Sequence, residues 1–319
     1  MELSCFHHAR TSKMWTCSRR LCQLVVITAA LSTASVSALH AEPEQPLRAL
    51  PPDAAIRATT FAADLVFPER AEAVEALASP RAALLKPSGD GPFPALVMVH
   101  QCAGLNPAVA HWAREGVRRG YVVLLIDSLK PRDVQTVCYG PRAGVNLFRG
   151  AKDAFQAAAH LRNYPFVDPS RISFVGYSWG AMVGLIVASA RYTDALGGRP
   201  FASITSFYPG CFRVSRPNAP VFDLVSDDMK QPVLVLMGDA DNETPAAECV
   251  GKLQHAKSSG SLVDWHVYPD TGHCWDCQQL DGRTKTDMRG NQISYRFSAA
   301  ATHDSSKRLF AFLGALPAK

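Results

Sequence analysis

One stretch constrains this chain more than any other. Ile172-Ser173-Phe174-Val175-Gly176-Tyr177-Ser178-Trp179-Gly180 is an apolar run that ends on a serine flanked by glycines, and a small, apolar helical pattern follows it through Ala190. A strand that turns this tightly into a helix leaves no room for side chains two residues before and two after the serine. The serine is then held above the edge of a sheet, at the start of a helix packed beneath that sheet. Such a turn needs a buried strand and a layered α/β architecture around it.

The rest of the chain supplies those layers. Apolar runs recur at 95–100, 121–126, 203–208, 232–237 and 262–267. Continuous apolar runs of this length suit strands buried on both faces of a parallel sheet. Between them lie helical patterns at 108–119, 150–163, 246–256 and 298–313. The second places Ala154, Phe155, Ala158 and Leu161 on one face at helical spacing. The expected fold class is α/β: a mostly parallel central sheet with helices on both faces, one domain over residues 61–319. No repeat or low-complexity tract divides it. Residues 42–60, rich in Pro, Ala and Glu, read as an irregular lead-in.

The N-terminus reads as an export signal. Arg19-Arg20 precede the apolar run Leu21–Ala30, and small residues follow through Ala41. Cleavage is expected after Ala38 or Ala41, with Met14 a more ordinary start than Met1. A membrane anchor is the alternative, but the run is short of the roughly 20 apolar residues of a span. Four basic residues and one acid of the net +5 lie in residues 1–41, so the remainder is almost neutral. That balance offers nothing to nucleic acid. No protein partner is implied, and no stable membrane span after signal removal.

Ser178 carries the chemistry. A hydroxyl is a weak nucleophile and needs a base, which in turn needs an orienting acid. In this strand-turn-helix setting the order is serine, acid, histidine. Asp241 lies just past the run 232–237, in Gly238-Asp239-Ala240-Asp241, and His273 just past the run 262–267. Both fall where strands end, on the edge that builds sites in open sheets. Asp239 is the rival acid, and could instead serve a turn. The oxyanion donors are expected from the backbone N–H of Trp179 and of Cys102, with Gln101 as the runner-up to Cys102. The Trp179 side chain either walls the pocket or belongs to the core. His111, His160 and His266 have structural readings, and Glu243 and Glu248 form no metal set with a nearby histidine.

Together these residues resemble the dienelactone hydrolase family, over about residues 80–315. The matching segments are Pro94–His100 with Gln-Cys-Ala-Gly after it, Asp127-Ser-Leu-Lys-Pro-Arg132, Pro165–Ile172, the turn at Ser178, Gly238–Asp241 and Gly272-His273. The resemblance implies an α/β-hydrolase core without a large lid domain, acting on a small-molecule ester or lactone without a cofactor or metal. The family's namesakes carry cysteine where this chain has Ser178, so ester hydrolysis carries over and dienelactone specificity does not. Arginines hold the substrate carboxylate in those enzymes. Arg132 could be one of them, or a structural arginine. Two further readings stand beside esterase: amide or peptide cleavage by the same residues, and a silent relative that only binds.

Cys102, Cys138, Cys211, Cys249, Cys274 and Cys277 remain after signal removal, an even set that suits disulfides in an exported chain. The expected topology puts Cys102 and Cys138 after neighbouring strands, and Cys211 and Cys249 in the same relation. Cys274 and Cys277 are left as a local pair or as two free thiols. Cys274-x-x-Cys277 follows the last strand and lacks the partners of a zinc or redox motif.

Overall fold

A computed structural model describes residues 53–214, 221–287 and 289–316. Residues 1–41, read above as an export signal, with their three cysteines, and residues 42–52 of the lead-in lie outside that range. The strands are β1 (Ala71–Glu72), β2 (Ala83–Leu85), β3 (Phe93–Val99), β4 (Val122–Ile126), β5 (Val167–Tyr177), β6 (Ile204–Phe207), β7 (Arg213–Val214), β8 (Phe222–Asp223), β9 (Val233–Gly238), β10 (Val263–Tyr268), β11 (Thr284–Thr286) and β12 (Gln292–Ser294). The helices are α1 (Asp53–Ala58), α2 (Pro107–Arg118), α3 (Leu147–Leu161), α4 (Trp179–Ala188), α5 (Ala190–Ala195), α6 (Ala247–Ser258) and α7 (Ala299–Gly314).

Among the described residues, eight strands form one sheet in the order β1-β2-β4-β3-β5-β6-β9-β10. Every neighbouring pair is parallel except β2 with β4. The six expected runs are the six consecutive strands β4-β3-β5-β6-β9-β10, of which β10 is the edge. Their apolar continuity has a direct cause: β3 turns Ala95, Val97 and Val99 to one face and Leu96 and Met98 to the other, and all five are fully buried. Ala151 of α3, Val183 of α4 and Leu253 of α6 pack on the first face. Trp112 of α2 and Leu309 of α7 pack on the second. No helix among the described residues is long and apolar enough to cross a membrane.

The lead-in departs from expectation. Residues 53–58 form α1, with Ile56 fully buried. The segment after it is anchored by two arginines. Arg149 donates to the carbonyl of Ala62 at 2.9 Å and to Asp64 Oδ1 at 3.0 Å. Arg132 donates from Nε to the carbonyl of Ala63 at 2.8 Å. Within 53–60 itself, the buried Ile56 and the bond from Asn146 to the Thr59 carbonyl at 2.8 Å dock the chain on the domain.

Candidate active site

Ser178 follows β5 and caps the start of α4 with φ +53° and ψ −110°. A non-glycine residue there carries strain on the order of 1–3 kcal/mol, and the packing around it must enforce the conformation. It does. A Cβ at Gly176 would sit 2.1 Å from the carbonyl oxygen of Gly180, and one at Gly180 would sit 2.3 Å from that of Val99. The Gly180 N–H donates to the carbonyl of His100 at 3.1 Å, and the Ser178 N–H to that of Phe207 at 2.9 Å. The turn is thus fixed against the carboxyl ends of both neighbouring strands.

Three of the sequence-predicted residues meet in line. His273 Nε2 lies 3.0 Å from Ser178 Oγ, and His273 Nδ1 lies 2.7 Å from Asp241 Oδ2. All three side chains are buried. Asp241 Oδ1 accepts the N–H groups of Glu243 at 2.9 Å and Thr244 at 2.8 Å, which orients the carboxylate. The Thr244 hydroxyl adds a bond to Asp241 Oδ2 at 2.8 Å and lies 3.0 Å from His273 Nδ1. Sequence reasoning missed Thr244. Asp239, the rival acid, is exposed.

The electrostatics favour a strong base. Burial disfavours protonated His273, but the carboxylates of Asp241 and Glu243 outweigh it and raise the group above an ordinary imidazole. Glu243 is the second carboxylate at this centre, its Oε2 3.9 Å from His273 Nε2. Lys285 Nζ bonds its Oε1 at 2.6 Å, and the Tyr295 hydroxyl donates to its Oε2 at 2.8 Å. Burial pushes the Glu243 carboxyl up, and His273, Lys285 and Tyr295 together hold it below the usual range. Lys285 lies on β11 and Tyr295 directly after β12. The β11–β12 hairpin also grips the acid loop: Arg289 donates to the Glu243 carbonyl at 2.6 Å, and Asn242 to the Gln292 carbonyl at 2.7 Å.

The loop after β3 is held by a histidine that sequence reasoning left unassigned. His100 is fully buried, and burial lowers its basicity despite its acceptors and nearby carboxylates. Its Nε2 accepts the Ser128 N–H at 3.0 Å, so the proton is on Nδ1, which donates to the Gln101 carbonyl at 2.6 Å. The Trp179 ring stacks on His100 with centroids 5.5 Å apart, and it packs against Gly150 of α3. Its ring belongs to the core. Among the described residues, the backbone N–H groups of Trp179 and Cys102 have no acceptor in the protein. Gln101 turns its side chain inward instead, donating to Tyr208 Oη at 3.1 Å and Cys274 Sγ at 3.3 Å.

Arg132 is not placed to hold a substrate. Its guanidinium spans both oxygens of buried Asp153 at 2.7 and 2.8 Å, and bonds the Ser128 carbonyl at 2.9 Å. Arg149 shares the same carboxylate at 2.7 Å. With its donors consumed by the protein, Arg132 braces the fold.

Disulfides join Cys102 to Cys138, Cys211 to Cys249 and Cys274 to Cys277. Cys274, Asp276 and Cys277 lie within 4.8 Å of one another, but they do not suit a metal. The two sulfurs are bonded to each other, and the Asp276 carboxylate accepts from Trp112 Nε1 at 2.6 Å and Tyr208 Oη at 2.9 Å.

Comparison with known proteins identifies the family. The profile of the dienelactone hydrolase family matches residues 81–316. A Methylorubrum extorquens protein, provisionally named carboxymethylenebutenolidase, is 24% identical over 196 residues, which are 59% of this chain and 65% of that protein. An esterase of Thermogutta terrifontis, solved with propionate bound, superposes with a TM-score of 0.52 at 16% identity, over 74% of this chain and 90% of that chain. A dienelactone hydrolase-like promiscuous phosphotriesterase from metagenomic libraries gives 0.51 at 17% identity, over 75% and 99%. At such identities the two structures speak for the fold.

Proposed function

The chain belongs to the dienelactone hydrolase family, and from that premise we propose that it is an exported serine hydrolase cleaving a small carboxylic ester or lactone through an acyl-enzyme. One observation carries the reading: the unbroken hydrogen-bond line from Ser178 through His273 to Asp241. Ser178 Oγ attacks the acyl carbon as its proton passes to His273 Nε2. Asp241, bonded to Nδ1, fixes the tautomer and stabilises the imidazolium. The Trp179 and Cys102 amides, without acceptors among the described residues, bind the oxyanion. The imidazolium then protonates the leaving alcohol, and a water repeats the sequence on the acyl-enzyme.

Charge at the centre bears on the choice of ester. Asp241 and Glu243 face His273, and Arg132 is turned away, so neutral esters fit better than anionic ones. Labelling with a fluorophosphonate tests the reading. Covalent modification of Ser178, lost in Ser178→Ala, is expected. An unlabelled but folded protein would identify a binding relative instead.

A further inference from the structure

Glu243 is held like a working residue. Lys285 takes its Oε1, and Arg289 takes its backbone carbonyl. A carboxylate oxygen accepts in about two directions, and Tyr295 fills one at Oε2. A second acceptor direction remains at Oε2, and His273 Nε2 lies 3.9 Å from that oxygen. That is too long for a direct hydrogen bond. It suits one oxygen atom between them. Two bonds of roughly 2.8 Å from a single oxygen to these two atoms meet at about 90°, near the angle between the O–H bonds of water. His273 Nε2 is also the nitrogen 3.0 Å from Ser178 Oγ, so that oxygen stands next to the reacting carbon of an acyl-Ser178.

We propose that Glu243 is a further catalytic residue, which orients the water that hydrolyses the acyl-enzyme. The proposal rests on the acyl-enzyme reading above. The water oxygen attacks the acyl carbon. One of its protons passes to His273 Nε2, and the other stays on the oxygen and donates to Glu243 Oε2. The tetrahedral intermediate collapses, the bond from carbon to Ser178 Oγ breaks, and His273 returns its proton to Oγ. A carboxylic acid leaves, and the enzyme is restored.

The role can be separated from a plain field effect. His273 becomes cationic in both acylation and deacylation, so a charge that only stabilises the imidazolium affects both steps alike. Orientation of water affects the second alone. Glu243→Gln isolates the acceptor without changing volume. Lys285 offers only donors, so the glutamine oxygen must face Lys285 and its NH2 group takes the place of Oε2.

Stopped-flow turnover of p-nitrophenyl acetate by the full mature chain gives the two rate constants separately. E243Q and Glu243→Ala should acylate within a few-fold of the parent, yet deacylate about tenfold or more slowly, with acetyl-Ser178 accumulating by intact mass. Methanol, with one O–H, cannot bond both groups while it attacks. The ratio of methyl acetate to acetate should therefore rise in both variants. Equal slowing of the two steps, or an unchanged methanol ratio, overturns the role of Glu243 and leaves the hydrolase reading intact. Failure of the parent protein to form any acetyl-enzyme overturns both. E243Q alone decides the matter if E243A does not fold.

Discussion

Asp241 Oδ2 lies 2.7 Å from His273 Nδ1, while Asp239, two residues earlier, is exposed to solvent. The consequence is a large difference between two chemically identical substitutions. Asp241→Asn should lower kcat for an ester by about 10³-fold or more, since the imidazole loses both its tautomer and its counter-charge. Asp239→Asn should stay within a few-fold of the parent. Steady-state kinetics of the two purified variants checks the order, and the reverse order would transfer the acid role.

Activity should rise with pH through a group above the ordinary histidine value of about 6.5, because only neutral His273 accepts the serine proton and its basicity is raised. The groups around it are Asp241, Glu243, Lys285, Tyr208, Tyr295 and Asp276. Of these, Glu243 raises His273 and Lys285 lowers it. E243Q should therefore move the ascending limb of kcat/KM to lower pH, and Lys285→Met to higher pH. Shifts in the same direction would refute this electrostatic account.

Gly180→Ala should deprive the protein of its turn. The added methyl meets backbone oxygens of Val99 and His100 at 2.3 and 2.7 Å, and neither can step aside as a side chain would. The cost should reach or exceed the upper end of the about 1–3 kcal/mol usual for overpacking. Urea unfolding of the variant measures it. Parent-like stability with lost activity would mean that the turn can relax.

Asp153→Asn should destabilise more than its distance from Ser178 suggests. Asp153 is fully buried and serves both Arg132 and Arg149. Taking its charge away leaves two guanidiniums short of a counter-ion, a loss on the order of 3–5 kcal/mol for a buried pair. A fall of less than about 1 kcal/mol in denaturant unfolding would show that Asp64 and the carbonyls of 60–63 suffice.

Export has its own check. Protein isolated from its native cell should begin near Leu39 or Glu42, as read by intact mass. Retention of residues 14–41 would favour an anchor.

The central strands and the serine turn were legible because buried parallel strands are apolar on both faces, so each reads as an unbroken run. Ser178, Asp241 and His273 were legible because each follows such a run. What escaped depended on contacts distant in sequence. Ala83-Leu84-Leu85 is too short to show a period, and becomes β2 by pairing with β4 and β1. Arg132 stayed open between substrate and structure because nothing local reveals Asp153, 21 residues on. Glu243 acquired meaning only when the hairpin brought Lys285 and Tyr295 to it, 42 and 52 residues later. The Cys102–Cys138 and Cys211–Cys249 pairs followed from strand neighbours, which is topology rather than local pattern.

All three disulfides among the described residues lie along one rim of the sheet, the rim that presents Ser178. Two of them close loops of 36 and 38 residues, each worth about 4 kcal/mol in the chain-entropy view. Loops that build sites are ordinarily drawn from the least stable parts of a protein. In this molecule they are covalently tied. On heating, loss of turnover should therefore coincide with loss of the whole fold, and an oxidised preparation should pass abruptly from active to unfolded. Once reduced, the same protein should become inactive while its far-ultraviolet circular dichroism still reads native, and re-oxidation before full melting should restore it.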